Sequence, residues 1–394
     1  MTSLDASSIS VARRWSMLAA SVAAQAGASV AINGPAFLIP QLQDDRGLSL
    51  AQAGTVAAAP IAGVMLTLFL WGLVVDRIGE RAVLLAGLGG TTLLGIVATM
   101  VHGTLPLVVV LFLVGMFAAC TGSASGRIVV GWFPPQRRGL AMGIRQMAQP
   151  LGVAIAAATI AVVADRVSVS AALWIPVVAT ALACLSVLVL VIDPPRPAPT
   201  DALTANPYRA DHFLARVHGV SVLLVVPQFL VWTYSLTWLV QHRHWSAAAA
   251  GALVAGTHVL GALGRIGVGQ LSDMVGSRVR PLRWVAIAAA VTMGLLALTE
   301  PLAVAVVLMV VASTVTVADN GLAFTSVAER AGSYWSGRAL GVQNTAQYLT
   351  AAAVAPIAGL AITHWGYAAT YALAAVCPVV ALPLVPRRDA TSAE

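Results

Sequence analysis

Four ionisable residues lie inside long apolar runs of this chain: Arg127, Arg145, Arg265 and Asp319. Charged groups at membrane depth are unfavourable, so each is a candidate for function. Arg145 follows Arg138 by seven residues, and Arg265 precedes Asp273 by eight. The helical rise puts these side chains about 10 and 12 Å into an apolar layer. Arg127, seven residues before Pro134, lies at similar depth. Three arginines against one aspartate give the interior a formal balance of +2. A buried cation without a protein partner needs an anion, and the planar guanidinium fork suits a carboxylate or another oxyanion. The chemistry expected is anion binding by Arg265 and Arg145, with Asp319 partnering Arg145 when no ligand is bound. Arg127 can instead snorkel towards the aqueous side. Asp319 and His258 are the candidate proton carriers, since histidine changes charge near neutral pH.

Hydrogen-bonding companions accompany these charges. Gln25 and Asn33 lie in the first apolar run, Gln146 and Gln149 just after Arg145, and Gln228, Trp232 and Tyr234 in the seventh. Asn320 follows Asp319, and Gln343, Asn344 and Gln347 lie in the eleventh run. The substrate-binding set expected is Arg265, Arg145, Asp319, Asn320, Gln149, Gln343, Asn344, Trp232, Tyr234 and Asn33. For any one amide, bonding between helices is an equally good use.

The elements that must position these residues follow from composition. Hydrophobic residues make up 59% and charged residues 9% of the 394, and mean hydropathy is +0.87. Soluble domains carry about 25% charged residues, so this chain cannot build a water-facing surface. Apolar runs of 18 or more residues can cross a ~30 Å hydrocarbon core as helices. The runs are continuous rather than alternating, which excludes a transmembrane barrel. An all-α polytopic membrane protein is expected. Twelve spans are drawn, over 16–40, 50–74, 81–102, 105–133, 139–165 and 169–192, then 214–240, 247–271, 282–299, 302–326, 337–362 and 366–386. The first run reads as a span rather than a cleaved signal. Cys120, Cys184 and Cys377 each sit in an apolar run without metal-ligand spacing and read as packing residues.

Six-helix halves over 1–192 and 214–394 flank a Pro-rich polar linker, 193–213. The net charge of +7 is made by arginine alone, because the chain has no lysine. With the amino terminus inside, sixteen arginines fall in cytoplasmic segments and three (Arg46, Arg166, Arg243) in external loops. That bias places both termini in the cytoplasm of a plasma (inner) membrane.

The two halves repeat. Gly72, Asp76, Gly79 and Arg81 recur as Gly269, Asp273, Gly276 and Arg278, 197 residues later. Ser49–Gly54 answers Ser246–Gly251 at the same offset, and Gly143–Gln149 answers Gly341–Gln347 at 198. Parallel halves of this kind build a midplane site in transporters. Each aspartate can also sit against the positive end of a helix from the other half, Asp76 near Ser336 and Asp273 near Arg138.

The run Gly72-x-x-x-Asp76-Arg77-x-Gly79-x-Arg81, with the twelve spans and the half-length repeat, resembles the major facilitator superfamily over nearly the whole chain. The resemblance implies a cavity lined by helices 1, 4, 7 and 10. It also implies that Gly72, Asp76, Arg77, Gly79, Arg81, Gly269, Asp273, Gly276 and Arg278 gate the cytoplasmic side. In the second copy Met274 replaces Arg77. Arg265-Ile-Gly-Val-Gly269 is similar to helix 8 of oxalate–formate and monocarboxylate transporters, where the arginine contacts a substrate carboxylate. Drug–proton antiporters of the superfamily differ: their helix 4 arginine is Leu111 here, and helix 5 reads Gln149-Pro150-Leu151-Gly152.

The reading is a secondary active transporter of a small, carboxylate-like solute, proton- or exchange-coupled and working by alternating access. A broad-specificity drug or metabolite exporter is the alternative within transport, and a membrane sensor on the same fold the alternative outside it. No phosphate-binding Gly-x-x-x-x-Gly-Lys loop can exist without lysine, which argues against an ATP-driven pump, and no nucleophile–base or metal-ligand cluster stands out, so no enzyme activity is expected. The partners expected are the solute, protons and the lipid bilayer, with no cofactor, no metal and no nucleic acid, and the chain is expected to be a monomer.

Overall fold

Runs of Ala, Leu, Val and Gly without charge satisfy their backbone groups inside helices, and the computed structural model is helical throughout its spans. It describes residues 9–48, 50–195, 200, 204–245 and 247–389. The spans are α1 (Val11–Asn33, extended by a 3-10 turn Gly34–Leu38), α2 (Leu50–Ile78), α3 (Glu80–Met100) and α4 (Thr104–Ala118 and Cys120–Trp132). α5 (Pro135–Gln146 and Ala148–Arg166), α6 (Trp174–Leu190), α7 (Phe213–Thr237), α8 (Ala247–Val275) and α9 (Val279–Leu298) follow. α10 is Val304–Val315 continued over 319–331. Gly332 and Gly366, at φ 68° and 78°, divide the remainder into α11 (333–365) and α12 (367–381). This is the twelve-helix fold expected.

Several boundaries differ from the sequence reading, three of them instructively. α5 starts at Pro135, four residues before 139, because proline favours the first turn of a helix. α4 and α10 are interrupted at Ala119 and at residues 316–318, which hydropathy alone does not register. The repeat is exact in α2 and α8, each 29 residues long and 197 apart. Of the second repeated segment, Ser49 and Ser246 lie outside the described residues, as do 196–199, with Arg196, and 201–203 of the linker.

Packing sorts the chain into two compact units. The first holds 1–133, 147–204 and 333–344; the second holds 134–146, 205–332 and 345–394. The first is centred on Val30, Leu38, Val56, Leu111 and Ile160. The second has two apolar clusters, around Leu230, Trp238 and Met293 and around Val220, Leu282 and Leu322. Leu66, Leu93, Leu182, Leu263 and Leu298 are more than half exposed, as side chains facing lipid would be.

Candidate functional site

A tightened turn in α10 shapes the site in the second unit. Residues 316–318 leave the regular α-helical pattern between Val315 and Asp319, while Thr316 and Ala318 keep right-handed helical dihedrals. The Val317 carbonyl accepts from Arg265 Nε at 3.2 Å and from Asn320 Nδ2 at 3.4 Å. Asp319 opens the resumed segment, at the positive end of its dipole, where a carboxylate is favoured. It is 1% exposed and neither carboxylate oxygen reaches a side-chain donor among the described residues, the N–H groups of Asp319 and Asn320 being what favours its charge locally. Arg265 of α8, itself 3% exposed, acts on it through charge rather than a hydrogen bond.

Gln146 joins the two arginines. Its backbone oxygen accepts from Arg265 Nη1 at 2.8 Å, and its side-chain oxygen from Arg145 Nη1 at 2.6 Å. Arg145 stacks over Phe324 at 5.6 Å and Arg265 over Trp232 at 5.7 Å, cation–π contacts that stabilise desolvated guanidiniums. His258 meets Trp232 edge-on, with ring centroids 5.1 Å apart. A chain of amides completes the cluster. Gln347 Nε2 donates to Asn320 Oδ1 at 2.9 Å, and Asn320 Nδ2 donates to Gln228 Oε1 at 3.2 Å.

The two charged turns share one geometry. In the first unit Asp76 Oδ1 accepts from Gly337 N–H at 2.9 Å and Oδ2 from Arg338 N–H at 3.0 Å, near the start of α11. In the second, Asp273 Oδ1 and Oδ2 accept from Gly139 and Leu140 N–H at 2.9 and 2.8 Å, near the start of α5. Each carboxylate thus meets a positive helix end. A Cβ on Gly72 would lie 2.6 Å from the Gly337 oxygen, and one on Gly269 2.2 Å from the Gly139 oxygen, so only glycine permits these approaches. Gly79 and Gly276, at φ 98° and 65°, make the reversals after α2 and α8.

The cations differ. Arg338 Nε reaches Asp76 at 2.8 Å, whereas Arg278 Nη1 reaches Asp273 at 2.5 Å from within the same turn. Arg278 also bonds the Pro135 carbonyl and Glu329. Burial alone would lower its pKa, but Glu329 and Asp273 outweigh that and hold it above its ordinary value. Arg81 binds the Leu188 carbonyl, and Arg77 is exposed.

A sequence model of the Major Facilitator Superfamily matches residues 19–355. The chain belongs to the major facilitator superfamily. It is 47% identical over 383 residues to the uncharacterised MFS-type transporter Rv2994 of Mycobacterium tuberculosis, covering 96% of this chain and 86% of that one. It is 28% identical over 125 residues to the hexuronate transporter of Bacillus subtilis, covering 32% and 30% of the two chains. The human organic anion transporter MFSD10 superposes with a TM-score of 0.75 at 16% identity, over 95% of this chain and 99% of that one, which shows the shared fold. The protein is therefore a multi-pass membrane transporter of this superfamily.

Within the superfamily fold, not every expected ligand joins the cluster. Arg145, Arg265, Asp319, Asn320, Trp232 and His258 come together in the second unit. Tyr234 does not: it packs in the apolar cluster around Trp238, its hydroxyl beside Gly359. Two residues past Trp232 is about 200° around a helix, so the two rings point apart. Asn33, Gln149, Gln343 and Asn344 belong to the first unit. There Asn33 Nδ2 bonds the Ser29 carbonyl, Asn344 Nδ2 the Leu340 carbonyl, and the Gln149 carbonyl accepts from Ser29 Oγ. Gln343 is buried.

Arg127 requires a correction. It neither snorkels nor awaits a ligand, because it forms a buried ion pair with Glu80 at the start of α3. Glu80 reads from sequence as one more charge of the exposed turn, yet it is 0% exposed. The interior balance of +2 therefore omitted an acid. The sequence reading also missed Glu329, which pairs with Arg138 and Arg278. It missed two helix caps as well. Asp193 accepts from Arg81 N–H at 2.7 Å, and Asp389 from Arg278 and Val279 N–H at 2.6 and 2.9 Å. Their one available signal was position, since each acid follows the last span of its half.

Proposed function

We propose that the protein is a secondary active transporter of a small, carboxylate-bearing solute, working by alternating access and coupled to protons or to anion exchange. The observation that carries the reading is the buried Asp319 carboxylate, without a side-chain hydrogen-bond partner among the described residues, in the field of Arg265 at the α10 turn. Two hydrogen bonds of Arg265 go to neutral backbone carbonyls, so its charge is balanced through space by Asp319. A carboxylate ligand at Arg265 would take over that balance, and Asp319 would then be favoured in its protonated form. Anion and proton would bind together, with His258 as a second carrier. The similarity of helix 8 to oxalate–formate and monocarboxylate transporters supports the carboxylate. So does the partial similarity to a hexuronate transporter, because a hexuronate carries one.

The two aspartate-capped turns serve as cytoplasmic latches that form in one access state and break in the other. Gly72, Asp76, Arg77, Gly79 and Arg81 make one, and Gly269, Asp273, Gly276 and Arg278 the other. The arginine bias puts both turns and both termini on the cytoplasmic side of the plasma membrane. The test is uptake and counterflow of labelled carboxylates in proteoliposomes, with and without an imposed pH gradient. Arg265→Ala should abolish uptake while the protein still assembles. Unchanged uptake in that variant would remove Arg265 from the site. Dye efflux that survives neutralisation of both Arg265 and Arg145 would favour an exporter, and ligand binding without counterflow a sensor.

A further inference from the structure

Three amides from three helices stand in series beside the charged cluster: Gln347 of α11, Asn320 of α10 and Gln228 of α7. The bonds between them run in one direction, each nitrogen donating to the next oxygen. The series therefore ends in a carbonyl oxygen on Gln347 and an amino group on Gln228, and neither end has a partner among the described residues. The central Asn320 also closes on backbone, donating to the Val317 carbonyl at 3.4 Å, so only the two ends stay open. This series offers an acceptor at one end and a donor at the other, which are the two functions of a hydroxyl group. Gln228 and Asn320 are 3% and 5% exposed, so their donors and acceptors are shielded from bulk water, where an unmatched polar contact discriminates strongly.

The neighbours of this series complete a recognition pattern. Gln228 and Trp232 are four residues apart on one face of α7, and Trp232 stacks on Arg265. Asn320 is the residue next to Asp319. An aromatic face, a guanidinium and an open amide series thus lie along one continuous set of contacts. We infer that the amide series reads hydroxyl groups, so that the transported solute is a hydroxylated carboxylate rather than a plain alkanoate. This rests on the carboxylate reading above and sharpens it. The guanidinium holds the acid group, Gln228, Asn320 and Gln347 hold hydroxyls, and Trp232 covers the C–H face between them.

The experiment uses the full-length protein in proteoliposomes and two carbon-matched series. Propionate, lactate and glycerate add one hydroxyl at a time to three carbons, and hexanoate and gluconate are the plain and the hydroxylated acid on six. Counterflow and competition should favour the hydroxylated member of each series by at least about tenfold, since a site built to bond a hydroxyl rejects the analogue lacking it. Gln347→Met, at the half-buried end of the series, should reduce that preference towards unity. Asn320→Leu should remove the preference altogether, and Asn320→Asp should restore part of it. Equal or better transport of the plain alkanoates overturns the inference and leaves the carboxylate reading standing. If neither series moves, nor raises the melting temperature of the detergent-solubilised protein, both readings fall.

Discussion

The buried charges of the two units are handled in different ways. In the first unit Arg127 is locked to Glu80, side chain to side chain. In the second, Arg265 spends its hydrogen bonds on backbone carbonyls and meets Asp319 only through its field, at the α10 turn. A closed ion pair holds helices in place and has no reason to change during a transport cycle. A carboxylate that meets its guanidinium only through charge can change its proton and its counter-charge. We therefore propose that the same residue types, at similar depth, serve stability in one unit and chemistry in the other.

The largest effects should separate these two uses. Arg265→Ala should lower initial uptake by at least about 100-fold, roughly the 3 kcal/mol lost when one buried charged partner is truncated, and uptake should stay lost when Asp319→Asn in the same chain removes the unpaired charge. Arg127→Ala should act chiefly on the fold. It leaves Glu80 unpaired and should destabilise the fold by about 3–5 kcal/mol, read as a lower melting temperature in detergent. Arg127→Met combined with Glu80→Gln should recover much of that loss. If Arg127→Ala instead abolished transport at unchanged stability, the contrast between the units would collapse.

Asp319→Asn should eliminate accumulation driven by a pH gradient while exchange of solute persists, because the amide cannot carry the proton. Accumulation that survives would move proton coupling to another group, His258 first. The latches should show a smaller effect. Asp76→Asn and Asp273→Asn should each slow turnover several-fold with little change in apparent affinity, as expected for gating steps. Glu329→Gln should weaken only the Asp273 latch, since Glu329 contacts Arg278 and Arg138. Smallest of all, Asp193→Ala and Asp389→Ala should each lower stability by about 1 kcal/mol, the usual contribution of a helix cap. Equal losses would support equivalent capping in the two units.

The expectations that held locally were those carried by composition, spacing and periodicity. Continuous hydropathy defines twelve spans, glycine and aspartate spacing marks the repeat at 197 residues, and arginine within an apolar run marks a charge that must be compensated. Each depends on a residue and its near neighbours along the chain, so the sequence determined them by itself. Partners are not local. Whether Glu80 lies on the surface or against Arg127 depends on how α3 rotates against α4, and a one-residue change in register turns a helix by about 100°. The same rotation separates Tyr234 from Trp232. The turn at residues 316–318 of α10 contains no proline, and hydropathy does not register it. There Arg265, from another helix, bonds the Val317 carbonyl. That contact, and the amide series from three helices, exist only where distant segments converge, and only the tertiary structure decided them.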